Sequence, residues 1–115
     1  MKNIIVVGGG PSGMISAVIA AKEGKNVTLI EKNEKLGKKL FITGKGRCNV
    51  TNSTDIEGLI NNIPTNSSFL YSAFNNFSSQ DLMNLIEGMG VKLKIERGNR
   101  IFPESDKSSD IIKAF

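Results

Sequence analysis

The chain opens with an apolar run, Ile4, Ile5, Val6 and Val7, that is cut at once by GGGPSG over residues 8–13. An apolar run that short, bounded by a glycine turn, reads as a buried strand. The stretch after it, from about Ser12 to Glu23, carries Met14, Ile15, Val18 and Ile19 at helical spacing, while Ala17, Ala20 and Ala21 keep a neighbouring strand close. Gly24 is placed to end that helix with a left-handed cap. Val27 to Ile30 then give a second strand, parallel to the first because a crossover helix joins them. These features predict a β-α-β unit, the building block of an α/β Rossmann-like fold.

Each glycine of the turn answers a different steric demand. Gly8 lets the chain leave the strand tightly, Gly10 removes the Cβ that would hold the backbone away from a pyrophosphate, and Gly13 lets helix and strand pack closely. Pro11 suits the first helical turn, where a missing N–H costs little. The exposed amides and the positive end of the helix dipole then face the phosphates. Glu31 stands eighteen residues beyond Gly13, at the carboxyl end of the second strand. A carboxylate there accepts hydrogen bonds from a ribose diol and repels a 2′-phosphate, which favours FAD or NAD over NADP. The plain alternative is a β-α-β unit whose glycines only make turns and whose Glu31 is solvated. Agreement between the turn, its flanking elements and the distant acid favours nucleotide binding.

The other compositional features mainly exclude. Cys48 is the one cysteine and histidine is absent, so no internal disulfide, His-based triad or His metal site can form. No stretch approaches the ~18 apolar residues of a membrane span, and the glycines interrupt the segment after Lys2 too soon for a signal peptide. A cytoplasmic site with no membrane partner is expected, and the oligomeric state stays open. GKGRCN at residues 44–49 is not a Walker A loop, because the residue after the lysine is wrong.

Charge is concentrated. The net charge is +4, yet Lys32, Lys35, Lys38, Lys39, Lys45 and Arg47 face only Glu34 between residues 32 and 47, so the rest of the chain is slightly acidic. This stretch is a solvated loop, a cofactor loop or a nucleic-acid patch. Its position after Glu31 favours the cofactor loop, and no aromatic interleaving supports nucleic acid, so no nucleic-acid partner is expected.

From Glu31 the sequence runs EKNEKLGKKLFITGKGRCNVTN. With GGGPSG, the EK pair, the GKK stretch and the TGKGRCNVTN loop, the chain closely resembles the BaiN-like flavoproteins, also called the aminoacetone-oxidase family of NAD(P)/FAD-dependent oxidoreductases. GVKLKIERGNRIFPESDKSSDII, residues 90–112, resembles a later block of the same family. The resemblance implies a glutathione-reductase-like FAD-binding domain in which Gly8, Gly10, Ser12 and Gly13 surround the pyrophosphate and Glu31 holds the ribose. Lys32 would sit beside the adenosine half. Lys39, Thr43, Gly44, Arg47, Asn49 and Thr51 are implied flavin-side contacts, with backbone approach at Gly44 and Gly46 and charge compensation from Arg47. A packing or polar-loop role is favoured for Cys48 over a redox role, because disulfide-reducing flavoenzymes present paired cysteines.

Beyond Asn52, polar turns separate the apolar groups Leu59 to Ile63 and Phe69 to Phe77, which read as short helices. Phe69, Tyr71, Phe74 and Phe77 are expected to form a core stripe rather than a flavin-stacking box. Ser78 with Asp81 resembles a capping box for a helix through Leu82, Leu85 and Ile86 that ends at Gly88 or Gly90. Val91, Leu93 and Ile95 alternate with Lys92, Lys94 and Glu96, then Arg97 to Asn99 turn into a partner strand from Arg100 to Phe102. SSDIIKAF reads as a helix capped by Ser108 or Ser109.

With 115 residues the chain can hold one small core, but one β-α-β unit supplies fewer strands than a doubly wound domain needs. Residues 1–115 are therefore expected to be the amino-terminal part of an FAD-binding domain, with 1–52 as nucleotide unit and flavin loop and 53–115 as helices and hairpin. The expected activity is flavin-dependent oxidation or reduction of a small-molecule substrate, with no catalytic acid or base assigned and any NAD(P)H site outside these residues. Alternatives are a NAD-dependent dehydrogenase and a non-catalytic RNA-binding or regulatory flavoprotein.

Overall fold

A computed structural model describes residues 2–115. Strand β1 (Asn3–Val7) and strand β2 (Asn26–Ile30) pair in parallel, with Ile4 opposite Val27 and Val7 opposite Ile30. Helix α1 (Pro11–Lys22) crosses between them, with Pro11 in its first turn. Gly24 follows at φ +77°, its amide donating to Ala21 (3.0 Å) while Lys25 donates to Ala20 (3.1 Å), and these bonds satisfy the last carbonyls of the helix.

The apolar run 4–7 predicts a strand buried on both faces, but burial alternates instead. Ile4 and Val6 are half-buried, whereas Ile5, Val7 and Ile30 are exposed, Val7 by 81%. Alternate strand residues point to opposite faces, and α1 covers only one of them.

The second sheet is antiparallel and has the order β3 (Thr51–Asn52), β5 (Arg100–Pro103), β4 (Leu93–Glu96). Its hairpin closes through a 3-10 turn at Arg97–Asn99, the turn the sequence predicts. Strand β4 starts at Leu93 rather than Val91. Strand β3 is not anticipated by the sequence, because two residues are too few to show alternation. Its pairing of Thr51 with Ile101 draws the end of the 32–52 loop into the second sheet.

Short helices pack around these sheets: α2 (Lys38–Ile42), α3 (Ile56–Asn61), α4 (Tyr71–Asn76), α5 (Ser79–Gly88) and α6 (Ser108–Ala114). The capping box on α5 is complete: Ser78 accepts from the Asp81 amide (3.1 Å) and Asp81 accepts from the Ser78 amide (2.8 Å). A serine cap on α6 is not found. The buried Ser108 hydroxyl instead donates to the Phe41 carbonyl at 2.7 Å and ties α6 to α2.

Met14, Leu40, Cys48, Ile86 and Ile111 form the central cluster, so α1, α2, the following loop, α5 and α6 share one core. The expected aromatic core stripe is not found either, since Phe69 (82%), Tyr71 and Phe77 are exposed and only Phe74 is half-buried. A 3-10 turn at Ser67–Leu70 leads into the six-residue α4 and breaks the period, so these side chains do not share one helical face.

Candidate dinucleotide site

The glycine turn leaves β1 with Gly8 at φ +102°, its amide bonded to Ile30 at 2.7 Å. A Cβ at Gly13 would overlap the Gly8 carbonyl oxygen, so Gly8 and Gly13 are fixed by the fold itself. Gly10 differs. Its φ of −79° and ψ of −174° suit any residue, and a Cβ built there meets no atom within 4 Å. No side chain caps α1 at Gly10, and the amide of Met14 makes the bond to Gly10 that begins the helical ladder, at 2.9 Å. The amides before it lack helical acceptors and lie at the positive end of the dipole.

Glu31 sits across from this turn. Its Oε1 accepts from the Gly9 amide (2.9 Å) and its Oε2 from the Asn33 amide (2.6 Å). These bonds, the Asn33 one foremost, hold the carboxyl below its ordinary range against partial burial, which pushes it up. Each oxygen keeps a further lone pair for a hydroxyl donor. Gly9 is tightly fitted here, although the spacing GxGxxG assigns it nothing: a Cβ there would lie 2.5 Å from the tip of the Leu36 side chain and 3.2 Å from Glu31, so Leu36 would have to shift. Lys32, next to Glu31, is exposed.

The loop beyond β2 brings some of the remaining predicted residues to the turn and sends others elsewhere. Ser12, Lys39, Thr43 and Asn49 line one cavity of about 490 Å³, together with Pro11 and Cys48. Thr43 caps α2 by donating to the Leu40 carbonyl (2.7 Å). The Asn49 amide, with its nitrogen turned to the carbonyls it faces, donates to Thr51 (3.1 Å) and Ile101 (3.3 Å).

Gly44, Arg47 and Thr51 serve the scaffold. A Cβ at Gly44 would stand 2.7 Å from the Asn49 nitrogen and 3.1 Å from the Phe102 ring, so the loop's own closure demands this glycine, at φ +57°. The Arg47 guanidinium lies 3.8 Å above the centre of the Phe102 ring and bonds Glu96 (3.0 Å) and Asp106 (3.2 Å). Lys94 completes a ring of alternating charge, 2.9 Å from Asp106 and 3.2 Å from Glu96. Arg47 is thereby held above its ordinary range, chiefly by Glu96, while Glu96 and Asp106 are held below theirs. Glu96 and Asp106, shared between Arg47 and Lys94, thus balance the two cations within the fold. Thr51 donates to the Ser79 hydroxyl (2.9 Å), which itself donates to the Asn52 carbonyl.

Cys48 is 3% exposed, and burial pushes its thiol up, with Thr43 opposing. It packs in the core, in the role the sequence favours. The basic stretch spreads over several environments: Lys39 lines the cavity above, Lys35 and Lys38 line another cleft, and Arg47 is paired. Among the described residues no cluster suits a metal, and no helix is long and apolar enough to cross a membrane.

A parallel β-α-β unit with an uncapped helix start facing an ionised carboxylate defines a nucleotide-binding Rossmann domain. The chain belongs to the HI0933-like protein Rossmann domain family, whose model matches residues 2–115. This is the group of BaiN-like flavoprotein oxidoreductases that the loop resembles. The 3-dehydro-bile acid delta(4,6)-reductase of Clostridium scindens is 30% identical over 115 residues, covering 98% of this chain and 27% of that protein. The ribosomal RNA dihydrouridine synthase of Escherichia coli is 33% identical over 87 residues, 76% of this chain and 21% of that protein. The NADH oxidase of Thermoanaerobacter brockii is 54% identical over 41 residues, 36% of this chain and 6% of that protein. The chain thus spans about a quarter of the length of the first two relatives.

Proposed function

We propose that this chain binds FAD and forms the cofactor-binding part of an oxidoreductase. The observation that carries the reading is Gly10, whose missing side chain answers no need of the fold and leaves open space at the start of α1. A pyrophosphate fits that space, with the amides around Gly10, Ser12 and Gly13 as donors. Glu31 takes the ribose hydroxyls, and exposed Lys32 lies beside the adenosine half. The cavity lined by Ser12, Lys39, Thr43 and Asn49 gives the flavin half an apolar floor with polar edges. When bound, FAD supplies the hydride and electron transfer, and the protein positions it.

For a reaction class we draw on two relatives' names, one a delta(4,6)-reductase and one a dihydrouridine synthase. Both names denote addition of hydrogen to a carbon–carbon double bond, and we carry that class to the protein with its substrate unspecified. A NAD(P)H site, where used, lies outside these residues.

Purification followed by an absorption spectrum and titration with FAD and with NAD tests the reading. Oxidised-flavin bands, with FAD binding far more tightly than NAD, are expected. Binding of NAD with no affinity for FAD would replace the proposal with a NAD-dependent dehydrogenase.

A further inference from the structure

On the far side of α2 from the cofactor cavity lies a second cleft, of about 700 Å³, walled by the 33–38 loop, α2 and α6. Helix α2 separates the two spaces. Lys39, Leu40 and Thr43 line the first, whereas Lys38 and Phe41 line the second. The loop in this wall is anchored, since the Gly37 amide donates to Gly9 at 2.8 Å and Gly37 packs so closely on Ile112 that a Cβ would come within 3.1 Å.

We propose that this cleft binds an amphipathic organic anion, a site separate from the FAD site and independent of that reading. Leu36, Phe41 and Ile112 provide the apolar surface, and Leu36 and Phe41 are both exposed. Lys35, Lys38 and Lys113 stand around it. None of these lysines forms an ion pair among the described residues, and Glu34 is the one carboxylate in the lining, so the cleft carries a net charge of +2. Size and composition suit a small molecule: ligand clefts run to roughly 300–1,000 Å³, mostly apolar with a few placed polar groups. The charge selects the occupant. An acidic head group meets three ammonium groups, whereas a cationic head meets net repulsion, and an uncharged apolar body alone leaves the lysines unused.

Decanoate, an acyl chain with a carboxylate head, is the direct probe, and decyltrimethylammonium is its cationic counterpart of equal chain length. Calorimetric titration of the purified protein should show saturable decanoate binding, one per chain, at least about tenfold tighter than the cation. The triple variant Lys35→Gln, Lys38→Gln, Lys113→Gln should weaken decanoate about tenfold and leave the cation no weaker. Decanoate no tighter than the cation on the unaltered protein overturns the proposal without reference to any variant. Unchanged decanoate binding in a folded triple variant overturns it as well. ADP, which shares the adenosine and pyrophosphate of FAD, separates the two sites: mutually exclusive binding of ADP and decanoate would assign the cleft to the cofactor and end the proposal.

Discussion

The Gly9 amide donates to the Glu31 carboxylate at 2.9 Å, joining the phosphate turn to the end of the second strand across twenty-two residues. One side chain thereby holds the turn and presents an ionised acceptor beside it. Glu31→Gln keeps the shape but replaces one carboxylate oxygen by a donor facing an amide, so both the turn and ribose recognition suffer. FAD affinity should fall roughly tenfold or more, measured by equilibrium titration. Unchanged affinity counts against the ribose assignment.

Gly44 and Gly46 separate packing from conformation. At Gly44, with φ +57°, a Cβ collides with the Asn49 backbone, whereas at Gly46, with φ +87°, it meets no atom within 4 Å. Gly44→Ala should therefore lose more stability than Gly46→Ala, by about 1–3 kcal/mol of added overpacking. Denaturant unfolding of the two variants reads this directly, and equal losses would show that the collision relaxes freely.

Glu96 and Asp106 are held below their ordinary values of 4.5 and 3.8, principally by Arg47 for Glu96 and by Lys94 for Asp106. Groups with depressed folded pKa values stabilise the protein above their unfolded values and lose that contribution as pH falls through the folded ones. Lys94 is raised above 10.5, so its contribution is full below that value and is lost as pH rises through the folded one. The charge ring should therefore act fully at neutral pH and fail in acid. In Arg47→Gln the carboxyl values return towards ordinary, and the fall in melting temperature between about pH 6 and pH 3 should become shallower. A pH profile parallel to the unaltered protein's would show that the ring is not coupled in solution.

Buried among Met14, Leu40, Ile86 and Ile111, the Cys48 thiol is raised by burial and shielded from solvent. Its labelling by an aromatic disulfide reagent should be slow in the native protein and accelerate with denaturant, tracking local opening. Rapid native labelling would contradict its place in the core.

Local signals were legible in the sequence and distant pairings were not. The β-α-β unit, the Ser78–Asp81 capping box and the hairpin turn at Arg97–Asn99 each depend on residues close in sequence. Arg47 meets Glu96 and Asp106 across 49 and 59 residues, and no periodicity encodes such a meeting. The same limit hid the pairing of Thr51 with Ile101 and the close approach of Gly9 to Leu36. The exposed Phe69, Tyr71 and Phe77 misled for a different reason, because their spacing assumes a continuous helix that the turn at Ser67–Leu70 interrupts. Ser12, Lys39, Thr43 and Asn49 line one cavity, whereas Gly44, Arg47 and Thr51 make contacts that hold the loop's shape, and local spacing does not separate these two sets.

Titration of Gly10→Val with FAD tests the central claim most directly. Valine is compatible with φ −79° and ψ −174° and meets no protein atom at its Cβ, so the variant should fold, with a loss of about 1 kcal/mol from the poorer helix N-cap. Its side chain occupies the space assigned to the pyrophosphate, and FAD affinity should drop roughly a hundredfold or more. A folded Gly10→Val protein that binds FAD as tightly as the unaltered one contradicts the account.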